Sequence, residues 1–547
     1  MKKFFNEDNA RMNYKDYITL MFIIIIYGIL SFYRLGSFNN PNTFQNFQAM
    51  NSVIIKFDKL EDIIKMKVFN GDKNAVYQIY TSLDNKKYKF VTSVVGEGSF
   101  AWDDLRIVSK GKYLKLLFLE DSSLGELSFY DNNKKRINIK DIKYKDKKIN
   151  TLTDEKDVIP KQISYFNSSY FDEIYFARTA YEYTKNLETY EWVHPPLGKL
   201  IQAIPIFVTQ KMTPFNYRLM GNISGILMII VMYYFGKLLF KERKYAIFSA
   251  LLISLDTFHF VQTRIGTVDS HLVLFILCSL YFMCKFIKNK NNVDLFLSGL
   301  FFSLSISVKW TGFYGGLALA IIYFIYHIKD KKINFDFFIK GMLFFVFLPL
   351  TIYFGLYLIF PNNRINYTNN IENVIKQQQD IYNYHSKLES DHYFSSKWYT
   401  WPLGYKPVWY HNQVIDANRR ETISAIGNIV IWWMGIISFL YLIIKFLLKK
   451  DRKAFFLIVV ILSLFLPYSF INRQMFLYHY FPVLPFLILS IVLMFKDIVN
   501  KFKLNIIIPI YLITVFIFFL IYYPIISGMI VDNIYIDNLK IFSSWYF

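Results

Sequence analysis

Cysteine is nearly absent. The chain has 547 residues and two cysteines, Cys278 and Cys284, both inside one apolar run. That excludes a disulfide framework and a cysteine-based metal or redox site, and leaves core or lipid-facing packing as their reading. Glycine-rich phosphate loops are missing as well. There is no Walker pattern and no Asp-x-Asp motif in an α/β context, so no cytosolic nucleotide-sugar pocket is visible. Histidines and carboxylates are not spaced as metal ligands, and no metal or other cofactor is implied. Acidic residues are outnumbered, 41 against 62 Lys and Arg, for a net charge of +21. What the chain has in excess is apolar side chains: 54% hydrophobic, 56 Phe and 42 Tyr, at a mean hydropathy of +0.26. Soluble chains lie nearer about 45–50% apolar. The composition excludes a disordered chain and sets this one apart from an ordinary cytosolic enzyme.

Apolar runs account for the excess. A bilayer core of about 30 Å needs about 20 apolar residues in a helix. Eleven runs qualify as spans: 17–33, 221–240, 245–261, 268–286, 293–308, 312–326, 337–360, 423–448, 454–470, 476–495 and 504–523. The first is too long for a signal peptide and lacks a small-residue cleavage site, so it reads as a retained anchor.

Short connections set the orientation. Alternate ones carry Lys237, Lys241, Arg243 and Lys244; Lys285, Lys288 and Lys290; Lys329, Lys331 and Lys332; Lys445, Lys449, Lys450, Arg452 and Lys453; Lys496, Lys501 and Lys503. The others hold only Arg264, Lys309 and Arg473. This register puts the N-terminus in the cytoplasm and the C-terminus outside a plasma membrane, with two long outer segments. The six cytoplasmic stretches hold 23 Lys and Arg against 9 Asp and Glu. Most of the excess charge is therefore a topology signal and gives no support to a nucleic-acid partner.

The resulting organisation is a tail and first span (1–36), a β-rich outer domain (37–150), an outer loop with juxtamembrane helices (151–217), spans (218–360), a second outer loop (361–422) and the last spans (423–547). The β-rich stretch alternates polar and apolar residues in short runs, as in Ser52-Val-Ile-Ile-Lys-Phe57 and Tyr113-Leu-Lys-Leu-Leu-Phe118, which predicts an all-β sandwich. Tyr77-Gln-Ile-Tyr-Thr-Ser-Leu-Asp-Asn-Lys-Lys-Tyr88, Phe100-Ala-Trp102 and Gly125-Glu-Leu-Ser-Phe-Tyr130 resemble the steps of discoidin-like, galactose-binding-type jelly rolls. That resemblance implies a possible carbohydrate ligand, with Trp102 read as core rather than sugar platform.

The stretch after the domain carries chemistry. Tyr170-Phe-Asp-Glu-Ile-Tyr-Phe-Ala-Arg-Thr-Ala180 reads as a surface helix, with Phe171, Ile174, Tyr175, Phe176 and Ala180 on one face and Asp172 and Glu173 at its N-terminal end, where the helix dipole favours carboxylates. On its own this pair is a cap and a solvated charge. His194-Pro-Pro-Leu-Gly-Lys199 follows, a stiff extended turn. Arg218, Arg264, Lys309 and Arg473 fall at outer ends of spans, where headgroup snorkelling is the plain alternative to phosphate binding. Asp269, just inside a span, is costly in lipid and should face protein, with Arg264 as a possible partner. Asn167-Ser-Ser and Asn366-Tyr-Thr match glycosylation acceptors, but chance suffices in so asparagine-rich a chain.

Taken in order, Phe171-Asp-Glu, His194-Pro-Pro-Leu-Gly-Lys199, Arg218, Phe258-His-Phe-Val-Gln-Thr-Arg264 with Asp269, Ser307-Val-Lys-Trp-Thr-Gly312, His392-Tyr-Phe-Ser-Ser-Lys-Trp398, Trp401-Pro-Leu403 and Arg473-Gln-Met-Phe-Leu-Tyr-His479 resemble the protein O-mannosyltransferases and their bacterial relatives. The resemblance implies a polytopic α-helical membrane protein of the C-type membrane glycosyltransferase fold, with about eleven spans and an outward-facing site. It implies an inverting transfer of mannose from a polyprenyl-phosphate donor to Ser or Thr of exported proteins. Asp172 would be the general base and Glu173 its support, with His194, Lys199, Arg218, Arg264, Asp269, Lys309 and Arg473 around the donor phosphate. A lipid or cell-wall glycan acceptor is the alternative; a transporter is less favoured, because no pair of broken helices repeats between the halves. The chain departs from the family in its β-rich insertion and in lacking a sugar-binding trefoil in the second loop.

Overall fold

The computed structural model describes residues 12–329, 335–360, 371–387 and 392–547. Lys331, Lys332 and the Asn366 acceptor match lie outside the described residues. The chain divides into two compact units. One comprises Met1–Tyr33, Asn186–Gln202 and Arg218–Phe547; the other comprises Arg34–Lys185 and Ala203–Tyr217.

Helices dominate the first unit. Among the described residues eight of them are long and apolar enough to cross a membrane, and Arg243–Ser254 with Thr257–Arg264, bent by 59°, counts as a ninth if the pair is one span. Asn292–Val308 and Gly312–Ile328 are shorter apolar helices. Every one of the eleven expected spans thus falls on helix. The physical reason is local: in hydrocarbon the backbone must satisfy its own polar groups, so an apolar run of this length is stable only as helix. The bend has a cause. Asp256 sits in the break and caps the second helix, accepting from the His259 backbone N–H at 2.9 Å, while the Trp432 indole donates to its other oxygen at 3.0 Å. Backbones also approach closely. A Cβ on Gly299 would lie 2.3 Å from the Phe344 carbonyl oxygen, so only glycine fits there.

One boundary differs from expectation. The span placed at 423–448 begins only at Ile429. Residues 423–425 belong to a strand, Arg419–Ala425, which pairs antiparallel with Val408–Val414 and with Ile530–Asp532. Apolar Ile423 and Ala425 alternate with Thr422 and Ser424, a strand period that a hydropathy window averages away. Trp401 and Trp432 are buried in packing.

The second unit is a folded antiparallel sheet. Its strands are β1 (Gln45–Phe47), β2 (Ser52–Asn70), β3 (Val76–Ser82), β4 (Lys89–Val95), β5 (Trp102–Phe118), β6 (Ser122–Tyr130), β7 (Ile139–Tyr144) and β8 (Lys147–Lys148). β2 and β5 are long and serve two layers. Residues 52–56 of β2 pair with 113–117 of β5 and with β7; residues 61–69 pair with 102–111 of β5, and 65–70 with β6. The register shift between Lys56 and Glu61 turns the strand from one layer to the other. Val53, Ile55 and Phe57 point inward at period two and are fully buried. Phe47 stacks on Phe118 at 4.3 Å in the same core. Trp102 is core, as expected, packed with Phe69 and Phe100 against Ala177 and Ala180.

Candidate active site

Two places carry the expected chemistry, one in each unit. In the β-rich unit the helix Glu173–Lys185 is held on the sheet by Phe176, Ala177 and Ala180. Its buried face differs from the expected one: Tyr175 is exposed, and Phe171 precedes the helix with φ +50°. A bulky residue in that left-handed region costs on the order of 1–2 kcal/mol. Here it delivers Asp172 to the helix start, where the Asp172 carbonyl accepts from the Tyr175 and Phe176 N–H groups at 3.1 Å. The two carboxylates are then distinguished by environment. Glu173 is fully buried and its Oε2 accepts from the Tyr170 N–H at 3.1 Å, whereas Asp172 is only half-buried.

The helical unit contains a cavity of about 720 Å³. Four pieces of chain line it: the Val193-His194-Pro195 turn, Lys309 to Thr311 with Phe313 and Tyr314 of the helix that follows, Tyr382, His385 and Ser386 of the helix Ile371–Lys387, and the segment 470–473 with His479. Of the expected site residues, His194, Lys309 and Arg473 line this cavity together. Among the described residues no carboxylate lines the wall. The Lys309 ammonium lies 2.9 Å from Asp269 and 5.5 Å from the Tyr478 ring centroid. Asp269 therefore pairs with Lys309 and not with Arg264. No protein carboxylate pairs with Arg473 among the described residues, which leaves its forked donors for an anion.

The remaining expected cations sit elsewhere. Lys199 is wholly buried and donates to Glu191 Oε2 at 2.5 Å, to the Glu191 carbonyl at 2.7 Å and to the His194 carbonyl at 2.9 Å. Arg264 donates to the carbonyls of Ser31 at 3.1 Å and Tyr33 at 2.8 Å, closing the C-terminal end of the helix Tyr14–Phe32. Arg218 is fully buried near the start of Pro214–Phe240.

Three residues at the site were given no role from the sequence. Glu191 accepts from His194 Nδ1 at 2.7 Å. Burial works against its ionisation, but Lys199 and His194 outweigh that and hold the carboxyl at about 2. Burial also holds His194 below the ordinary histidine range, against the pull of Glu191. His385 donates from Nε2 to the Val193 carbonyl at 3.0 Å, and burial, with His194 and Arg473 nearby, lowers it to about 4. His479 is clamped between the Trp401 and Tyr478 rings at 5.9 and 4.7 Å. The spacing of Glu191 three residues before His194 and the motif that ends in His479 were the available signals; His385 lies in a polar helix with no motif around it.

Trp310 and Phe313 line the cavity and also an apolar groove of about 960 Å³ between helices. At this junction Trp310 Nε1 donates to the Tyr353 hydroxyl at 2.8 Å, which donates to Gln378 at 2.6 Å. A polar, cationic chamber that shares two wall residues with an apolar groove suits an amphiphile with an anionic head. Among the described residues no three His, Cys, Asp or Glu side chains are grouped to hold a metal ion.

Comparison with known proteins points the same way. Residues 158–360 match the family model described as dolichyl-phosphate-mannose-protein mannosyltransferase. Residues 370–545 match the C-terminal four-transmembrane region of protein O-mannosyltransferase. Both matches leave strands β1–β8 outside. The chain is 21% identical over 400 residues to a polyprenol-phosphate-mannose–protein mannosyltransferase of Mycolicibacterium smegmatis, covering 60% of this chain and 77% of that one. It is 20% identical over 424 residues to the Corynebacterium glutamicum protein of the same name, covering 64% and 81%. Among solved structures, a chain of the S. cerevisiae protein O-mannosyltransferase Pmt1–Pmt2 complex bound to the sugar donor is similar in fold, with a TM-score of 0.61 and 14% identity over 69% of this chain and 89% of that one. The architecture is the C-type membrane glycosyltransferase fold.

Proposed function

Since the chain belongs to the protein O-mannosyltransferase family, we propose that it transfers mannose from a polyprenyl-phosphate donor to Ser or Thr hydroxyls of exported proteins. The observation that carries this reading is the cavity with Arg473, Lys309 and, among the described residues, no carboxylate, which shares Trp310 and Phe313 with an apolar groove. The donor's phosphate would sit against Arg473 and Lys309, and its tail would run along the groove. Related bacterial proteins are named for this donor and for a protein acceptor.

In the reaction the acceptor oxygen attacks the anomeric carbon as the bond to the phosphate oxygen breaks. The phosphate leaves with the electron pair, and Asp172 takes the hydroxyl proton. An ordinary carboxylate near pKa about 3.9 is too weak a base to ionise an alcohol beforehand, so proton transfer accompanies attack. A single displacement inverts the sugar carbon. Glu173, bound to the backbone, supports the turn that presents Asp172. Cationic side chains stabilise the charge that develops on the phosphate, so the reading needs no divalent metal. The alternation of lysine-rich connections supports a plasma-membrane location with the N-terminus in the cytoplasm and the chemistry outside.

One observation favours the second reading, a lipid or cell-wall glycan acceptor. The β-rich unit shows half-buried Tyr80 and Tyr113 and exposed Phe90 on one face of its sheet, with Lys115 between the Tyr80 and Tyr88 rings at 4.6 and 4.5 Å. That is a surface on which a carbohydrate can stack. Membranes carrying the protein, supplied with labelled polyprenyl-phosphate mannose and a Ser/Thr peptide, test both readings. Label on the peptide is the expected result; label only on lipid or glycan replaces the protein acceptor with the second one.

A further inference from the structure

Trp310 stands in the wall that the cationic cavity and the apolar groove share. A chain of hydrogen bonds holds its indole, and chemistry fixes the direction of each. An indole N–H can only donate, and this one donates to the Tyr353 hydroxyl at 2.8 Å. The single proton of that hydroxyl then goes to Gln378 Oε1 at 2.6 Å. Gln378 Nε2 donates to the Val374 carbonyl, one turn earlier in its own helix, at 3.1 Å. Three elements are thereby tied together: the connection before Gly312–Lys329, the helix Leu348–Ile359 and the helix Ile371–Lys387. The groove beside them has a built shape. Leu343–Phe347, between the helices Phe335–Met342 and Leu348–Ile359, winds as a π-turn, and its Phe345 and Val346 line the groove. Such turns are rare and cluster at functional sites. Among the described lining residues the one other hydrogen-bonding side chain is Tyr323, whose hydroxyl donates to the Phe337 carbonyl at 3.1 Å.

Polar groups that satisfy one another are not laid out to bind a ligand's head. They fix a ring. Without its acceptor the indole can turn about its side-chain torsions, and a turned ring at the shared wall stands in the way of a tail. We propose that Tyr353 and Gln378 are positioning residues that act through Trp310, holding its ring as the threshold between an anionic head in the cavity and an apolar tail in the groove. This rests on the proposed donor reading. It makes affinity for a lipid-linked donor depend on hydrogen bonds made between side chains and not to the ligand.

The test compares two ligands on the full-length protein in detergent: a short-chain polyprenyl-phosphate mannose, and mannose 1-phosphate, the same head without the tail. Losing one buried hydrogen bond of this kind is worth about tenfold in affinity. Tyr353→Phe should weaken the tailed ligand about tenfold and leave mannose 1-phosphate within about twofold. In transfer assays its donor KM should rise about tenfold, with kcat within about twofold. Gln378→Leu, at a half-buried position on a polar helix, should act in the same direction by about threefold. Trp310→Phe keeps a ring and removes the N–H. In that background Tyr353→Phe should cost less than about twofold, because no indole proton is left without an acceptor. Equal loss of both ligands in Tyr353→Phe, no loss of either, or a loss of about tenfold again in the Trp310→Phe background would overturn the inference. Gly341→Leu tests the groove separately. Gly341 lines it, and a Cβ there would meet the Tyr323 ring at 3.5 Å, an ordinary contact. The added side chain should weaken the tailed ligand alone. If the tailed ligand binds Gly341→Leu as it binds the parent, the tail does not lie in the groove and the donor reading itself falls.

Discussion

At the scale of single side chains, the proposed roles of Asp172 and Arg473 are the ones one substitution can test. With Asp172→Asn the half-buried side chain keeps its size and loses its basicity. Turnover should drop about 10²–10⁴-fold, the usual worth of a positioned base, while donor affinity changes little. A wild-type rate in that variant, measured by transfer of labelled mannose, would remove Asp172 from the mechanism. Arg473→Ala deletes a guanidinium that pairs with no carboxylate among the described residues from the cavity wall. A charge-assisted hydrogen bond is worth about 1.5–3 kcal/mol, so donor affinity should fall about 10–100-fold. Unchanged donor binding in a titration would show that the phosphate sits elsewhere. Both residues were legible in the sequence as members of motifs. The roles of their neighbours were not. Lys199, Lys309 and Arg264 look alike as outer cations, and only their partners separate them: Glu191 and loop carbonyls, Asp269, and the carbonyls that end a helix.

At the scale of elements, β6 carries a buried Glu126 whose carboxyl is pushed up to about 7, by burial first and by Asp154 and Glu155 beside it. Asp103, at the start of β5, is raised to about 6 for the same first reason. A folded-state pKa above the unfolded value stabilises at low pH. The contribution is complete below about 4.5 and is lost as pH rises through about 7. The β-rich unit should therefore unfold more readily at pH 8 than at pH 5. Glu126→Gln should remove part of that difference, raising stability at pH 8 by on the order of 1 kcal/mol and changing little at pH 5. Hydrogen exchange of β6 at the two pH values reads this directly; equal protection in the parent protein would refute it. Strand existence was legible from the alternation of apolar residues. The layer crossing of β2 and β5 was not, because alternation gives a strand its faces but says nothing about which neighbour each half pairs with. The same averaging hid the strand at Arg419–Ala425 ahead of its helix.

The whole molecule joins a helical membrane unit to a β-rich one whose strands β1–β8 the family matches do not cover. If cationic side chains alone stabilise the leaving phosphate, transfer in membranes should survive saturating EDTA at full rate; loss on chelation with recovery on added Mg²⁺ or Mn²⁺ would require a metal in the reaction. The amino-acid sequence by itself determined the class of molecule. Eleven apolar runs become helices because each satisfies its backbone internally whatever its neighbours do, and the lysine-rich connections alternate independently of packing. The order of short motifs determined the family. Only the tertiary structure decided which charges meet. Glu191, His194 and Lys199 close on one another within a turn, and His385 arrives on a polar helix almost two hundred positions later to donate to that turn. Such a site depends on contacts between distant segments. A hydrogen bond of about 3 Å is set by where two backbones are held, and no local pattern in either segment encodes that distance.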